Sequence, residues 1–170
     1  GLADGVAVHA TVPGAPARAL VALVAPPGAP RVWNPGCLRE AWRVQDTSGP
    51  GRLVVGVPAG DGSRAADLLR GVYHPAVDKG TPFLVTDFAT AELVKVSANA
   101  FLATKISFIN AMAEIAEVTG ADVTQLATAI GHDGRIGHRF LGAGIGFGGG
   151  CLPKDIRAFA ARAEELGRGE

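Results

Sequence analysis

The chain has little cysteine: Cys37 and Cys151 are the only two among its 170 residues. Two cysteines cannot form the network of disulfides that holds small secreted domains together. A reducing compartment is the simpler expectation, since thiols stay reduced there, and we expect the chain to be cytoplasmic.

The chain also lacks an excess of charge, a long apolar run and a basic leader. Its 16 basic and 16 acidic residues give a formal net charge of +0, and no basic stripe points to a nucleic-acid partner. No run of about 18 or more apolar residues occurs, so we expect no membrane span. The first residues show no basic segment followed by an apolar one, so we expect no signal peptide. No metal site is expected either.

The first 80 residues show a sequence pattern typical of alternating strands and helices. They hold nine of the eleven prolines, together with short β-branched runs and frequent turn signals. Strands are predicted over 6–10, 31–33 and 52–57, and the last is a near-continuous apolar run typical of a buried parallel sheet. Helices are predicted over 15–25 and 65–73. This alternation predicts an α/β half-domain over residues 1–85.

From about Thr86 the pattern becomes helical and remains so to residue 170. A first helix is predicted from a cap at Thr86 or Asp87 to Thr119, closed by Gly120. Its middle is apolar on more than one face, which favours a helix that joins two domains or lies in a subunit interface. A second helix is predicted after a cap at Asp122, and a third begins at Pro153, after a glycine-rich loop, and ends at Gly167. Residues 86–170 are therefore predicted to form an all-α domain.

The most informative segment is Gly-Phe-Gly-Gly-Gly-Cys-Leu-Pro-Lys-Asp over residues 146–155. It predicts a flexible loop that delivers Cys151 to the start of a helix. The helix dipole and the charge of Lys154 both favour the thiolate, which is the nucleophilic form. Asp155 lies one turn further on and can hold a water or a proton. An isolated cysteine is more often a small buried core residue, but the glycines before it and the Pro-Lys-Asp after it favour a reactive thiol.

This segment resembles the active-site signature of the UDP-glucose/GDP-mannose dehydrogenase family. The usual form there has serine where this chain has Gly150, and the other nine residues agree. The likeness continues upstream through Arg-Ile-Gly-His-Arg-Phe-Leu over residues 135–141 and favours the UDP-glucose branch. The resemblance implies that Arg135 reaches the substrate from a neighbouring subunit. It also implies that the loop cradles the substrate, through Gly142, Gly144, Ile145, Gly146, Phe147 and Gly148.

A second motif places Lys95 and Asn99 four residues apart, on one face of the predicted long helix. An ammonium beside an amide can stabilise an oxygen that gains negative charge during a reaction. An isolated pair of this kind is more often a solvated lysine with a surface amide. The flanking residues 92–110 resemble the same family, in which this lysine and asparagine lie in the catalytic pocket.

A third and weaker motif bears on the cofactor. Asn-Pro-Gly-Cys-Leu-Arg-Glu-Ala over residues 34–41 resembles a family segment whose second glutamate, here Glu40, lies near the nicotinamide. The first glutamate of that segment is Gly36 here, and the phenylalanine after it is Cys37, which we interpret as a packing residue. Thr11 resembles a threonine beside the cofactor. The resemblance thus implies NAD as cofactor, with Thr11, Glu40 and Lys154 as its contacts.

The pattern G-x-G-x-x-G occurs once, at residues 144–149, but does not predict a dinucleotide site. That fingerprint requires a strand before it, a helix after it and a second strand that carries an acid. Here a helical or irregular segment precedes it, and no second strand follows. Its glycines suit a loop whose backbone amides approach a sugar or phosphate.

The resemblance implies a fold and a reaction. The expected fold is α/β: the C-terminal part of a Rossmann-like parallel-sheet domain followed by an all-α central and dimerisation domain. We expect the dinucleotide-binding start and the uridine-binding domain of the family to be absent. The implied reaction oxidises the C6 alcohol of UDP-glucose to UDP-glucuronate with two NAD, through a thioester on Cys151, in a homodimer. Lys95 would stabilise oxyanions, Asn99 would position the sugar, and Asp155 would support Lys95 or a water.

Two alternatives remain open from the sequence. A β-hydroxyacid dehydrogenase also carries a Lys-x-x-x-Asn pair on a long helix after its cofactor domain, but needs no cysteine. The chain could instead be a non-catalytic helical dimerisation module, which Gly36 and the missing fingerprint favour. Because Gly36 replaces the family glutamate and the dinucleotide fingerprint is missing, we expect that the chain alone does not oxidise UDP-glucose.

Overall fold

The structure is a computed structural model that describes residues 7–9, 30–36, 43–59 and 62–169. The chain divides into two compact units, Gly1–Lys95 and Val96–Glu170. The helix predicted over residues 15–25 lies outside the described residues.

The first unit contains a four-stranded sheet in the order β1-β2-β3-β4 among the described residues. The strands are β1 (Ala7–His9), β2 (Arg31–Trp33), β3 (Leu53–Val57) and β4 (Phe83–Asp87). The strands predicted over residues 6–10, 31–33 and 52–57 are thereby confirmed, whereas β4 is not anticipated by the sequence pattern. Its apolar run is only three residues long and merges with the helical pattern that follows.

The sheet is parallel as expected in two of its three strand pairs, but the third pair is antiparallel. β1 pairs with β2 in parallel, and so does β3 with β4 along their full length. β2 and β3, however, are antiparallel and pair only through Trp33 and Gly56. A parallel neighbour requires a crossover that usually holds a full helix. Within the described residues, the connection from β2 to β3 contains only the six-residue helix α1 (Arg43–Ser48).

Two short helices follow β3, and the first of them packs an apolar face against the sheet. They are α2 (Gly62–Val72) and α3 (His74–Val77). Val32 and Val55 of the sheet pack with Ala65 and Leu69 of α2, and all four are nearly inaccessible to solvent. A second cluster joins Trp33, Val54 and Ala91. Burial of such side chains is the main stabilising term for this unit.

The longest helix, α4 (Phe88–Thr119), runs for 32 residues across the division between the units. The predicted cap at Asp87 is confirmed, since its carboxylate accepts from the N–H of Thr90 at 2.9 Å and from the Thr90 hydroxyl at 2.8 Å. The hydrogen bond from the Thr90 N–H is the main cause that lowers the pKa of Asp87. Gly120 closes the helix with a φ of 74°, a left-handed conformation that glycine adopts without steric cost.

Two further helices complete the second unit. The first, α5 (Val123–Gly131), begins at the predicted cap Asp122, which accepts from the N–H groups of Thr124 and Gln125. The second, α6 (Leu152–Glu165), has a proline in its first turn, as predicted, and Gly167 follows it with a φ of 68°. Ile109 of α4 is fully buried within this unit. In the described part of the chain, no helix is long and apolar enough to cross a membrane.

Candidate functional site

The glycine-rich loop delivers Cys151 to the first residue before α6, as the sequence predicts. Gly146 and Gly149 have φ values of 98° and 79°, which residues with a side chain rarely adopt. The thiol is exposed, and no side-chain hydrogen bond from it caps the helix. The carbonyl of Cys151 accepts the N–H of Asp155 at 3.0 Å, the first hydrogen bond of α6. The loop therefore presents the thiol at the positive end of a helix dipole.

Asp155 is the one buried charged residue in the described part of the chain, with 1% of its surface exposed. Its Oδ2 accepts a hydrogen bond from Asn99 Nδ2 at 2.6 Å. Its Oδ1 lies 2.9 Å from Lys154 Nζ in an ion pair whose lysine side chain is 53% exposed. A buried carboxylate is costly unless it is paired, and the Asn99 amide and the Lys154 ammonium supply that pairing. Three residues predicted for the site are thus brought within hydrogen-bonding distance.

The glycine loop is tied to α4 by Asn110, whose Oδ1 accepts the N–H of Gly144 at 2.8 Å. Just before the loop, Phe140 adopts a left-handed φ of 63°, which is uncommon for a bulky residue. Such backbone strain persists only where the surrounding structure holds it. The loop that precedes the thiol therefore has a defined path at its start, and Ile145 at its tip is fully exposed.

Arg135 lies in the turn between α5 and the glycine loop. Its guanidinium holds the carboxylate of Asp133, with Nη2 at 2.6 Å from Oδ2 and Nε at 3.0 Å from Oδ1. The hydrogen bond from Arg135 lowers the pKa of Asp133, and the carboxylate in turn raises the pKa of Arg135. The arginine side chain remains 89% exposed. The turn therefore fixes one edge of the guanidinium and presents the rest to solvent.

The other predicted residues fall into three groups. Thr11 and Glu40 lie outside the described residues. Lys95 is half-buried in α4, one turn before Asn99. The loop residues predicted to cradle a substrate are all exposed to solvent, namely Gly142, Gly144, Ile145, Gly146, Phe147 and Gly148.

An open cavity of about 380 Å³ lies beside the start of this loop. It is lined by four residues of α5 and four that follow it, namely Val123, Thr124, Ala127, Thr128, His138, Leu141, Gly142 and Ala143. His138 on its wall stacks edge-on against His132, with ring centroids 4.7 Å apart. Among the described residues, no group of three or more His, Cys, Asp or Glu is placed to hold a metal ion.

Two residues of the site are missed by the sequence interpretation, Lys105 and Asn110. Lys105 Nζ donates to the carbonyls of Ile136 and Gly137 at 2.9 Å and 3.2 Å. Both side chains lie on α4, and their partners are more than 30 residues away along the chain. No local pattern in the sequence marks either residue, because Thr104 and Ser107 are polar positions of the same stretch of helix.

Residues 89–169 match the central domain of the UDP-glucose/GDP-mannose dehydrogenase family. A UDP-glucose 6-dehydrogenase of Rickettsia bellii (strain RML369-C) is 50% identical over 125 residues, which are 74% of this chain and 28% of that protein. A UDP-glucose 6-dehydrogenase of Bacillus subtilis (strain 168) is 45% identical over 136 residues, which are 80% of this chain and 28% of that protein.

Solved structures agree with these relatives. A UDP-glucose dehydrogenase from the hyperthermophilic archaeon Pyrobaculum islandicum matches with a TM-score of 0.82 and 39% identity, over 95% of this chain and 38% of that one. A UDP-D-ManNAc dehydrogenase from Pyrococcus horikoshii matches with a TM-score of 0.70 and 25% identity, over 87% of this chain and 34% of that one. The predicted α/β fold class is confirmed by this likeness, and the chain corresponds to a part of each of these proteins.

Proposed function

The chain belongs to the UDP-glucose/GDP-mannose dehydrogenase family, and we propose that its helical unit supplies the thiol of a nucleotide-sugar dehydrogenase. The proposed reaction oxidises the C6 alcohol of UDP-glucose to the carboxylate of UDP-glucuronate. The observation that carries this proposal is the exposed Cys151 at the start of α6, one turn from the buried Asp155. Residues 1–85 are proposed as the C-terminal portion of the NAD-binding domain, and 86–170 as the central helical domain.

Cys151 is proposed to act on the aldehyde that the first oxidation produces. Its thiolate adds to the aldehyde carbon, a C–S bond forms, and the carbonyl electron pair moves to the oxygen. Removal of a hydride from this thiohemiacetal leaves a thioester. Water then attacks the thioester carbon, the C–S bond breaks, and the thiolate is regenerated beside a carboxylate product. Covalent capture thus divides one difficult oxidation into easier steps.

The residues around the thiol are proposed to hold the substrate and its charges. Lys95 stabilises the oxyanion of the thiohemiacetal, a role supported by its position one turn from Asn99 on α4. Asn99 has its amide nitrogen committed to Asp155 at 2.6 Å, which leaves its oxygen to accept from a sugar hydroxyl. Asp155, fixed by Asn99 and Lys154, is proposed to accept a proton from the attacking water.

NAD is proposed as the oxidant, and when bound it accepts the hydride in each of the two oxidations. Thr11 and Glu40, two of its three proposed contacts, lie outside the described residues. The third, Lys154, fits an oxygen-rich ligand because its half-exposed ammonium is anchored on one side by Asp155 at 2.9 Å. The proposed chemistry also requires a reduced thiol, which supports a cytoplasmic location for the reaction.

We further propose a homodimer formed through an exposed stripe on the second-unit part of α4. The stripe consists of residues at alternating spacings of three and four, all of them exposed: Phe101, Thr104, Phe108, Ala111, Ile115 and Val118. This is the a/d spacing by which one helix packs against another. A second copy of the chain carries the same stripe and is therefore a self-complementary partner. In such a dimer the exposed Arg135 would be available to a ligand held by the other copy.

The first test is an assay of NADH and UDP-glucuronate formation from UDP-glucose and NAD, with and without separately supplied dinucleotide-binding and uridine-binding domains from a relative. We expect turnover only in the complemented sample, with two NADH formed per UDP-glucuronate. Cys151→Ala should form no UDP-glucuronate. UDP-glucuronate formation by Cys151→Ala at the wild-type rate would refute the role of the thiol.

The exposed thiol also favours this proposal over a β-hydroxyacid dehydrogenase, because the reaction of that class requires no cysteine. A 3-hydroxy acid offered in the same complemented assay should give no NADH. A purely structural dimerisation module would give neither product with either substrate, and would leave Cys151→Ala indistinguishable from the wild type.

A further inference from the structure

The Lys105 ammonium donates hydrogen bonds to two backbone carbonyls and does not pair with a carboxylate among the described residues. Its Nζ lies 2.9 Å from the oxygen of Ile136 and 3.2 Å from the oxygen of Gly137. None of the ion pairs within the described residues involves it. A lysine at a helix surface is ordinarily solvated and mobile, so a fixed double contact with neutral acceptors indicates a structural task at the turn it reaches.

That turn is closed on itself by Asp133. The N–H groups of Ile136 and Gly137 both donate to the Asp133 carbonyl at 2.9 Å, and the Asp133 carboxylate holds the Arg135 guanidinium. Gly137 ends the turn with a φ of 70°. Asp133 therefore determines the internal hydrogen bonding of the turn. Lys105 connects the turn to α4 through its hydrogen bonds to the carbonyls of Ile136 and Gly137.

The consequence concerns Arg135, which is 89% exposed. A guanidinium recognises a carboxylate or a phosphate through paired hydrogen bonds, and its value as a binding group depends on where it is held. Asp133 orients the side chain within the turn, and its N–H donates to the Ile130 carbonyl near the end of α5, so the rest of the turn is fixed by contacts to other elements. Within the described residues, the Lys105 contacts are the side-chain hydrogen bonds that do so.

We propose that Lys105 is a positioning residue that sets the location of Arg135 for binding the anionic part of a nucleotide sugar. The proposal rests on the function proposed above, since it takes Arg135 as a ligand contact. Lys105 itself touches no ligand. Its effect is transmitted through the carbonyls of Ile136 and Gly137, which require a donor of about this length bearing at least two N–H groups.

The first part of the test measures the turn directly, by hydrogen–deuterium exchange of the full chain. Lys105→Met, which retains the length but not the donors, should speed exchange across residues 133–139 about tenfold while the exchange of α5 stays unchanged. Lys105→Arg, which restores two donors, should return the exchange to near the wild-type rate. The exposed Lys79 supplies a matched control, Lys79→Met, which should change nothing. Unchanged exchange at the turn in Lys105→Met would overturn the proposal.

The second part measures binding of UDP-glucuronate by titration calorimetry, in the presence of the separately supplied dinucleotide-binding and uridine-binding domains. We expect Lys105→Met to weaken binding about tenfold, Lys105→Arg to weaken it less than threefold, and Lys105→Met combined with Arg135→Ala to bind no more weakly than Arg135→Ala alone. This lack of additivity is the signature of a residue that acts through Arg135. Additive losses, or wild-type affinity in Lys105→Met, would overturn the positioning role. Absence of binding by the wild type would instead refute the proposed function, and the exchange data would then decide the role of Lys105 at the turn.

Discussion

At the scale of single residues, the candidate site is built around one buried carboxylate. Asp155 is 1% exposed, accepts a hydrogen bond from the Asn99 amide and forms an ion pair with the Lys154 ammonium. The sequence predicts these three residues because they belong to short motifs with a recognisable spacing. It does not predict Asn110 or Lys105, because their contacts appear only after the chain has folded back by 34 and 31 residues.

The exposure of Cys151 leads to a prediction about its reactivity. Iodoacetamide near neutral pH should label Cys151 before Cys37, which the sequence predicts to be a packing residue. Lys154→Ala should slow the labelling of Cys151, because it removes a cation and leaves the charge of Asp155 partly uncompensated one turn away. Peptide mass mapping over a time course measures both rates. Equal labelling of the two cysteines in the folded chain would argue against a specially presented thiol.

Ile109 gives a prediction about stability, because its side chain is fully buried in the second unit. Ile109→Ala should lower the free energy of unfolding by about 2–5 kcal/mol, and Ile109→Val by about 0.5–1.5 kcal/mol. Ile145→Ala is the matched control, because Ile145 is fully exposed and its truncation leaves no cavity. Urea unfolding followed by circular dichroism measures the three values. A loss in Ile145→Ala as large as that in Ile109→Ala would contradict the burial described here.

At the scale of elements, the capping residues and glycines in the sequence predict the ends of α4 and α5 well. Asp87, Gly120 and Asp122 stand at the ends where the structure places them, because capping depends on residues within a few positions of the helix end. The sheet is predicted less completely. The antiparallel pairing of β2 with β3 depends on how the intervening chain returns, and no local pattern encodes that path.

The cap of α5 has a predicted dependence on pH. Hydrogen bonds from the N–H groups of Gln125 and Thr124 hold the pKa of Asp122 below its usual value of 3.8. The cap therefore contributes its full stability above pH 3.8, and the contribution is lost as the pH falls from there through the lower pKa of the folded state.

Asp122→Asn tests this dependence, since asparagine caps a helix but does not titrate. The variant and the wild type should have similar melting temperatures at pH 7. Below pH 3.8 the wild type should lose stability faster, so that the difference between the two changes with pH. Thermal unfolding at a series of pH values measures this difference, and a constant difference throughout would count against the cap.

The exposed stripe on α4 predicts self-association of the chain. Phe108→Glu places a charge at the centre of the stripe, where Phe108 is 48% exposed, and should convert a dimer to a monomer at micromolar concentration. Ser107→Glu is the matched control, because Ser107 is exposed but lies outside the stripe. Sedimentation velocity distinguishes the species. A wild-type chain that sediments as a monomer would contradict this interface.

At the scale of the whole molecule, the sequence predicts both the family and the fold class, and the comparisons confirm them. The predictive power comes from the segment around Cys151 and from the long helix, whose residue types are constrained by chemistry as well as by packing. The first unit is predicted in outline only, since its strands are short and its turns depend on contacts distant in sequence. The proposed reaction belongs to this scale, because it brings together the thiol, the buried carboxylate and the sugar.

The measurement that tests the central claim most directly is carbon NMR of the chain, complemented with the separately supplied domains, in the presence of the C6 aldehyde of UDP-glucose labelled with ¹³C at C6. We expect a saturable thiohemiacetal signal that is equal in amount to Cys151. UDP-glucuronate should displace the adduct, and Cys151→Ala should not form it. Free glutathione at the same concentration should give far less of the adduct, because it offers no binding site for the nucleotide sugar. The same signal in Cys151→Ala, or an adduct that UDP-glucuronate does not displace, would contradict the assignment of Cys151 as the nucleophile.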